Sequence, residues 1–298
     1  MKERAIQFGP GRELLGILTL PDVPDPARPA VLLPNTGVEH RVGPNRLHVH
    51  LARACARLGL VCLRLDLSGM GDSGQAGARA DPVADLREAM NHLERMGLAR
   101  RFVPIGLCSG GHDAHQLAKA EPRVVAAAFI DHYQYRTPRA FAIHLWQRVS
   151  EPRRLLNFAR RKWREACGRG EAEYRSELVS YFQEPPRAEF CADLGRFMQR
   201  RMPLFFLYTG AYQHLYNYRD QLLDVCPALA GYPLHALHYL PHCDHTFTHA
   251  SMRAQGFAAM EDWLLNQVLP ETAGAVRVEP AAAESMPAHP LPAVARAQ

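Results

Sequence analysis

The sequence predicts an α/β fold in which a mostly parallel sheet is covered by helices on both faces. Short apolar runs that resemble strands alternate with helical patterns from about residue 30 onward, which is typical of parallel strands joined by crossover helices. One of those strands also runs directly into a glycine-rich turn that opens a helix. At 298 residues the chain is long enough for one large domain of this kind.

The predicted elements follow one another in a regular order. Residues 5–20 are typical of an opening hairpin, and the later strands are short buried runs. The first helix carries Leu47, Leu51, Ala54 and Leu58 on one face, at the spacing that a covering helix needs. The predicted strands are 30–34, 60–67, 102–107, 124–130, 203–209 and 234–240, and the predicted helices are 46–58, 82–96, 109–120 and 257–268.

The pattern changes between residues 132 and 201 to long, basic, helical sequence without clear strands. This segment predicts a helical lid inserted over one end of the sheet. Residues 1–131 and 202–270 then form the core. The segment 271–298 is rich in Ala, Pro and Glu, with few large apolar side chains, which favours a flexible tail.

The turn after the strand 102–107 has the sequence Gly106-Leu107-Cys108-Ser109-Gly110-Gly111. A strand, a sharp turn and a helix in this order form the nucleophile elbow of α/β-hydrolases, where small residues stand two before and two after the nucleophile. That rule is met in full when Cys108 is central. The sequence therefore predicts an α/β-hydrolase fold with an inserted helical lid.

Cys108 is the predicted nucleophile, because the elbow places it at a helix N-terminus that favours an anion. Thiolate chemistry then becomes available near neutral pH. Two alternatives stay open. Ser109 is a second possible nucleophile, although Leu107 then occupies the position of the first small residue. Cys108 could also be a small core thiol at a plain helix start.

The predicted base is His245, which follows the last strand and precedes the closing helix. The catalytic histidine of this fold stands at that place, after the nucleophile and the acid in chain order. His242, three residues earlier, is a rival in the same loop.

The acid is harder to place, because residues 210–218, which follow the strand 203–209, contain no carboxylate. Asp220 comes late and is expected to begin a helix. Asp131 ends the preceding strand, and parallel strands bring their carboxyl ends to one edge of the sheet. Asp131 is therefore the candidate acid, with a Cys-His dyad as the alternative.

An oxyanion hole is expected from the backbone N–H of Ser109 and one further N–H of the loop after the strand 30–34, near Thr36, Gly37 or Val38. A glycine there lets the backbone approach a substrate closely. The loop could also be a plain turn.

Composition narrows the remaining possibilities. A net charge of +5, with much of the excess arginine between residues 136 and 201, is too mild to favour nucleic-acid binding. The basic stretch could steer an acidic carrier protein, an anionic substrate or a membrane surface, or form a solvated helix face.

The seven cysteines are an odd number without a CxxC pair, so we expect thiols and neither a disulfide framework nor a metal site. No apolar targeting segment stands near residue 1, and a cytoplasmic protein is expected.

Segments 35–46, 64–73, 106–111 and 244–247 together resemble α/β-hydrolases of the serine-aminopeptidase-like group. Within that group the sequence is similar to bacterial hydrolases associated with exosortase and exopolysaccharide systems, and more loosely to cysteine-centred dienelactone hydrolases. The resemblance spans about residues 10–268 and implies Cys108 as nucleophile and His245 as base. Two departures are the cysteine in place of the commoner serine and the missing acid after residue 209.

These observations predict an enzyme without a cofactor that transfers acyl groups through an acyl-Cys108 intermediate. Release to water makes it a thioesterase or esterase, and release to another nucleophile makes it an acyltransferase or cyclase. The expected substrate is an acyl ester or thioester, with an acidic carrier protein as one possible donor. Lid aromatics would suit an apolar acyl chain or form the lid's own core: Tyr133, Tyr135, Phe141, Trp146, Phe158, Trp163, Tyr181 and Phe182. The alternative is a binding or scaffold protein that keeps the fold without the chemistry.

Overall fold

The computed structural model describes residues 1–74, 81–150, 163 and 183–274. Within these ranges eight strands form one sheet in the order 1-2-4-3-5-6-7-8. The second strand pairs antiparallel with its neighbours on both sides, and all other neighbours pair parallel. The strands are β1 (Lys2–Phe8), β2 (Leu14–Leu20), β3 (Ala30–Leu33), β4 (Cys62–Asp66), β5 (Phe102–Leu107), β6 (Ala127–Ile130), β7 (Leu204–Thr209) and β8 (His235–Leu240).

Helices cover the sheet on both faces, as the sequence predicts. The described helices are α1 (Leu47–Arg57), α2 (Pro82–Arg95), α3 (Ser109–Ala120), α4 (Pro138–Val149), α5 (Arg187–Gln199), α6 (Gln221–Val225), α7 (Ala250–Trp263) and α8 (Leu269–Gly274). A π-helical turn, Leu264–Val268, joins the last two. Buried residues of α1 and α7 pack on one face of the sheet, and those of α2, α3 and α5 pack on the other. Among the described helices, none is long and apolar enough to cross a membrane.

Each central strand supplies side chains to both faces. In β7, Leu204, Phe206 and Tyr208 belong to one buried cluster, while Phe205 and Leu207 belong to the other. A strand that is buried on both faces has no polar side to solvate. This is why the parallel strands appear in the sequence as continuous apolar runs.

Several predicted boundaries differ from the structure. The strand expected from residue 124 begins at Ala127, and Val124 makes only an isolated bridge to Phe102. The closing helix begins at Ala250, seven residues before the expected start at 257. All of its first six residues are exposed or only partly buried, so no apolar stripe marks its beginning. It also continues to Gly274, which places the start of the predicted tail in a helix, while residues 275–298 lie outside the described residues.

The lid expected over 132–201 stays a prediction, because residues 151–162 and 164–182 lie outside the described residues. At its C-terminal end the segment is part of the core. Phe190, Leu194 and Phe197 of α5 are buried in the same cluster as Leu117 of α3 and Phe129 of β6. Of the predicted lid aromatics, Tyr133 is also in this core and Tyr135 packs against it, whereas Phe141, Trp146 and Trp163 are exposed and Phe158, Tyr181 and Phe182 are not described.

The expectation that all cysteines are thiols is wrong for two of them. Cys191 of α5 and Cys226, directly after α6, form a disulfide with 5.5 Å between their Cα atoms. They are 35 residues apart in the chain, and only the packing of α5 beside α6 brings them together. Of the others, Cys55, Cys62, Cys108 and Cys243 are free thiols, and Cys167 lies outside the described residues.

Candidate active site

Cys108 stands at the apex of the turn between β5 and α3, with the strained backbone angles φ 54° and ψ −117°. Two glycines make the turn possible. A Cβ atom on Gly106 would lie 2.0 Å from the carbonyl oxygen of Gly110, and one on Gly110 would lie 2.5 Å from that of Asn35. These close approaches explain why glycine stands two residues before and two after Cys108.

Ser109, the alternative nucleophile, lies beside the apex as the first residue of α3. It is 9% exposed, and its hydroxyl oxygen accepts a hydrogen bond of 2.7 Å from the backbone N–H of Gly37. The strained position and the partly exposed thiol therefore belong to Cys108, and the Ser109 hydroxyl is engaged in holding the neighbouring loop.

His245 lies in the loop between β8 and α7, and Nδ1 of its ring donates a hydrogen bond of 2.8 Å to Oδ2 of Asp131. This contact leaves Nε2 as the ring nitrogen available to the thiol. The rival, His242, is exposed at the surface of the same loop. The structure thus brings His245 to Asp131 and leaves His242 outside the site.

Asp131 follows β6 directly, and its carboxylate is fully buried. Thr209, the last residue of β7, donates to it twice, from its backbone N–H at 2.7 Å and from its hydroxyl at 2.6 Å. With His245 the carboxylate accepts three hydrogen bonds, so this buried polar group is provided with donors. Asp131 itself has a φ of 44°, a strained conformation, and its N–H is bonded to the carbonyl of Leu207.

The charge on His245 is set by its two neighbours. Burial opposes the imidazolium ion, but the hydrogen bonds to Asp131 and Cys108, and the negative charges of both groups, outweigh it and raise the pKa of His245 to about 9. His245 is therefore expected to carry a proton near neutral pH, and it can give this proton to a leaving group.

The loop that carries His245 is fixed on two sides. Burial opposes the charge on Asp244, but the hydrogen bonds from Thr246 and Thr248 together outweigh it and lower the pKa of Asp244 to about 2. From the other side, the amide of Asn45 donates to the carbonyl of Thr246 at 3.0 Å. These bonds leave the backbone around His245 little freedom.

The predicted oxyanion loop lies against the elbow. Thr36 is buried, Gly37 has a φ of 55°, and the Val38 side chain is 68% exposed. The N–H of Gly37 is already bonded to Ser109, so it is a poor candidate for an oxyanion donor. In the described part of the chain, the N–H groups of Thr36, Val38 and Ser109 donate to no protein acceptor. They remain the candidates, and their role stays a prediction.

Asp66, the last residue of β4, holds the loop after β3 in place through hydrogen bonds. It accepts hydrogen bonds from the Asn35 amide at 3.0 Å and from the backbone N–H of Arg41 at 2.6 Å. The Arg41 guanidinium also pairs with Asp66 and with Asp72. His40, Asp66 and Asp72 are close enough together to hold a metal ion, but Arg41 already supplies the positive charge there. The cluster therefore fits a structural clamp better than a metal centre.

Two residues beside the site were missed by sequence reasoning. Thr209 holds Asp131, and Tyr212 places its ring 5.1 Å from that of His245 in an edge-to-face arrangement. Thr209 is the last residue of β7, and Tyr212 follows it by three residues. Their position in the chain indicates a place near the site, but threonine and tyrosine are not residue types that indicate a catalytic acid.

Solved structures with the same architecture are α/β hydrolases. Proline iminopeptidase of Mycobacterium smegmatis is 15% identical, with a TM-score of 0.55, over 91% of this chain and 100% of that chain. An esterase domain from Rhodothermus marinus is 17% identical, with a TM-score of 0.52, over 90% and 99%. A serine hydrolase without a lid from Xanthomonas campestris is 15% identical, with a TM-score of 0.51, over 90% and 96%.

This chain therefore has an α/β-hydrolase fold, and at these identities the likeness shows the fold alone. No protein-family model and no curated protein matches the sequence. The function has to be argued from the geometry of the site.

Proposed function

We propose that the chain is an acyl-transfer hydrolase that forms an acyl-Cys108 intermediate. His245 is the base that activates the thiol, and Asp131 is the carboxylate that orients His245. The observation that supports this most directly is the continuous arrangement of a strained cysteine at a helix N-terminus, a histidine beside it and a buried carboxylate 2.8 Å behind that histidine.

The reaction follows from the placement of these groups. His245 takes the proton of the Cys108 thiol, and the thiolate attacks the acyl carbon. An S–C bond forms while the carbonyl electrons move to oxygen, where backbone N–H groups of Ser109 and the 36–38 loop stabilise the charge. When the carbonyl re-forms, the bond to the leaving group breaks and the leaving atom takes the proton from His245.

In the second half of the reaction the acyl group leaves Cys108, and Cys108 is now the leaving group. Water or another nucleophile loses its proton to His245 and attacks the acyl-Cys108 carbon, and the S–C bond breaks to restore the thiolate. Esters and thioesters are the proposed substrates, since a thioester exchanges sulfur for sulfur and keeps the acyl group activated. An acidic carrier protein as the acyl donor is proposed only from the basic segment 136–201, in which residues 151–162 and 164–182 are not described.

The alternative, a scaffold without chemistry, drew its support from the missing carboxylate after β7. Asp131, bonded to His245 from the neighbouring strand, removes that argument. A scaffold also gives no reason for a strained cysteine beside a charged imidazole.

Iodoacetamide at neutral pH is expected to alkylate Cys108 before any other cysteine. Cys55, Cys62 and Cys243 are buried. Burial, with the neighbouring Cys55, raises the pKa of Cys62, and burial, with the Asp244 and Asp131 charges, raises the pKa of Cys243 to about 12. Peptide mapping after brief labelling measures the order of modification. The His245→Ala variant is the control, and its Cys108 should react more slowly because the imidazolium no longer stabilises the thiolate. Preferential labelling of another cysteine would contradict the assignment.

A further inference from the structure

Tyr212 is a half-buried tyrosine beside the site that the mechanism above does not use. It ends a 3₁₀ turn, Gly210–Tyr212, that begins directly after β7. The turn carries it over the ring of His245, at 5.1 Å between ring centres and an angle of 75° between the ring planes.

The turn is rigidly attached to the groups that hold the site together. Thr209, which precedes it, binds the Asp131 carboxylate. Gly210 donates its N–H to the carbonyl of Cys243 at 3.0 Å. A Cβ atom on Gly210 would lie 2.0 Å from the carbonyl oxygen of Pro241, so the turn is pressed against the loop of His245. The position of Tyr212 is therefore fixed relative to both Asp131 and His245.

The hydroxyl of Tyr212 is left free for a ligand. Within the described residues it has no hydrogen-bond partner, and the same holds for Tyr239 of β8. Hydroxyl groups of the other described tyrosines are engaged in hydrogen bonds: Tyr133, Tyr135, Tyr208, Tyr216, Tyr218 and Tyr232. A half-buried polar group without a partner, beside a candidate active site, is suited to bind a polar atom of the substrate.

The Tyr212 hydroxyl also keeps its proton. Burial, together with the negative charges of Cys108 and Asp131, raises the pKa of Tyr212 to about 12. Tyr212 is therefore a neutral hydrogen-bond donor over the pH range in which the His245 imidazolium can act.

The side on which Tyr212 lies indicates which substrate atom it meets. The proposed oxyanion donors belong to Ser109 and the 36–38 loop, whereas in the proposed mechanism the leaving group departs on the side of His245, which gives it a proton. Tyr212 packs against His245 and so belongs to the leaving-group side.

We propose that the Tyr212 hydroxyl is a catalytic hydrogen-bond donor to the leaving-group atom of the acyl substrate. The inference rests on the proposed function. As the tetrahedral intermediate collapses, the carbonyl re-forms, the bond from the acyl carbon to the leaving oxygen breaks, and that oxygen takes its proton from His245. Tyr212 keeps its own proton and stabilises the charge that develops on the leaving atom.

The test compares two esters of one acyl group, p-nitrophenyl butyrate and p-methylphenyl butyrate, whose leaving groups have similar shapes. p-Nitrophenolate leaves without help, whereas p-methylphenolate needs stabilisation. For Tyr212→Phe, kcat/KM should fall about 10- to 100-fold with the p-methylphenyl ester and less than about threefold with the p-nitrophenyl ester. Tyr239→Phe is the matched control, since it also removes an unpartnered hydroxyl from a half-buried ring, and both of its values should stay near wild type.

Equal losses with the two esters would overturn the inference, because a merely structural role of the ring affects both alike. Unchanged rates with both esters would overturn it as well. Either result leaves the proposed function intact as long as the wild-type protein hydrolyses the esters and Cys108→Ala does not. A wild-type protein that hydrolyses neither ester would contradict the proposed function, and this inference with it.

Discussion

His245→Ala is expected to lower turnover of an activated thioester about 100- to 10,000-fold, the usual worth of a general base and acid. His245 is the ring that contacts both Cys108 and Asp131. Without it, the thiol keeps its proton and the leaving group receives none. Steady-state kinetics with one thioester measures the loss, and circular dichroism checks the fold.

His242→Ala is the matched control, because it removes an exposed histidine three residues away in the same loop. Its turnover should stay close to wild type. Equal losses in the two variants would mean that the change acts through the loop and not through the His245 imidazole.

Asp131→Asn is expected to lower turnover about 100-fold or more while the protein stays folded. The amide cannot accept the Nδ1 proton as a carboxylate does, so His245 loses the partner that fixes its tautomer and stabilises its charge.

The Asp131→Asn variant should also show a changed pH dependence of kcat/KM. Leaving-group departure needs protonated His245, so kcat/KM in the wild-type protein should fall as pH rises through about 9. Since the carboxylate helps to raise the pKa of His245, the fall should move to lower pH in the variant.

A second buried pair in the same protein provides the control for this variant. Asp193 of α5 is fully buried and accepts a hydrogen bond of 2.9 Å from Nε2 of His115. Asp193→Asn disturbs a comparable pair outside the site and should leave both turnover and its pH dependence unchanged. Near wild-type kinetics in a well-folded Asp131→Asn protein would leave Cys108 and His245 to act as a dyad.

The sequence predicts the elbow and the acid candidate because both depend on local or topological rules. Gly106 is needed because of a contact within the turn, with the carbonyl of Gly110, whereas Gly110 is needed because the turn lies against Asn35 of the loop after β3. The elbow pattern predicts both positions without knowledge of either contact. Asp131 could be placed because parallel strands end at one edge, and the structure does put its carboxylate against His245.

Features that depend on distant packing could not be predicted. The disulfide between Cys191 and Cys226 forms because α5 packs beside α6. The spacing of cysteines in the sequence does not predict that packing. The engaged N–H of Gly37 depends on the rotamer of Ser109. Tyr212 lies in the loop after β7, where the fold's acid is expected, but a tyrosine there does not by itself predict a role in the site.

Trapping of the intermediate tests the central claim most directly. The protein is mixed rapidly with an acyl thioester, quenched in acid, and mapped by mass spectrometry of its peptides. The proposed mechanism predicts one acyl group per molecule, on the peptide that contains Cys108, with fragmentation placing it on Cys108 and not on Ser109. Cys108→Ala should carry none. An acyl group on Ser109 or on another residue, or the same acylation in Cys108→Ala, would contradict the cysteine mechanism.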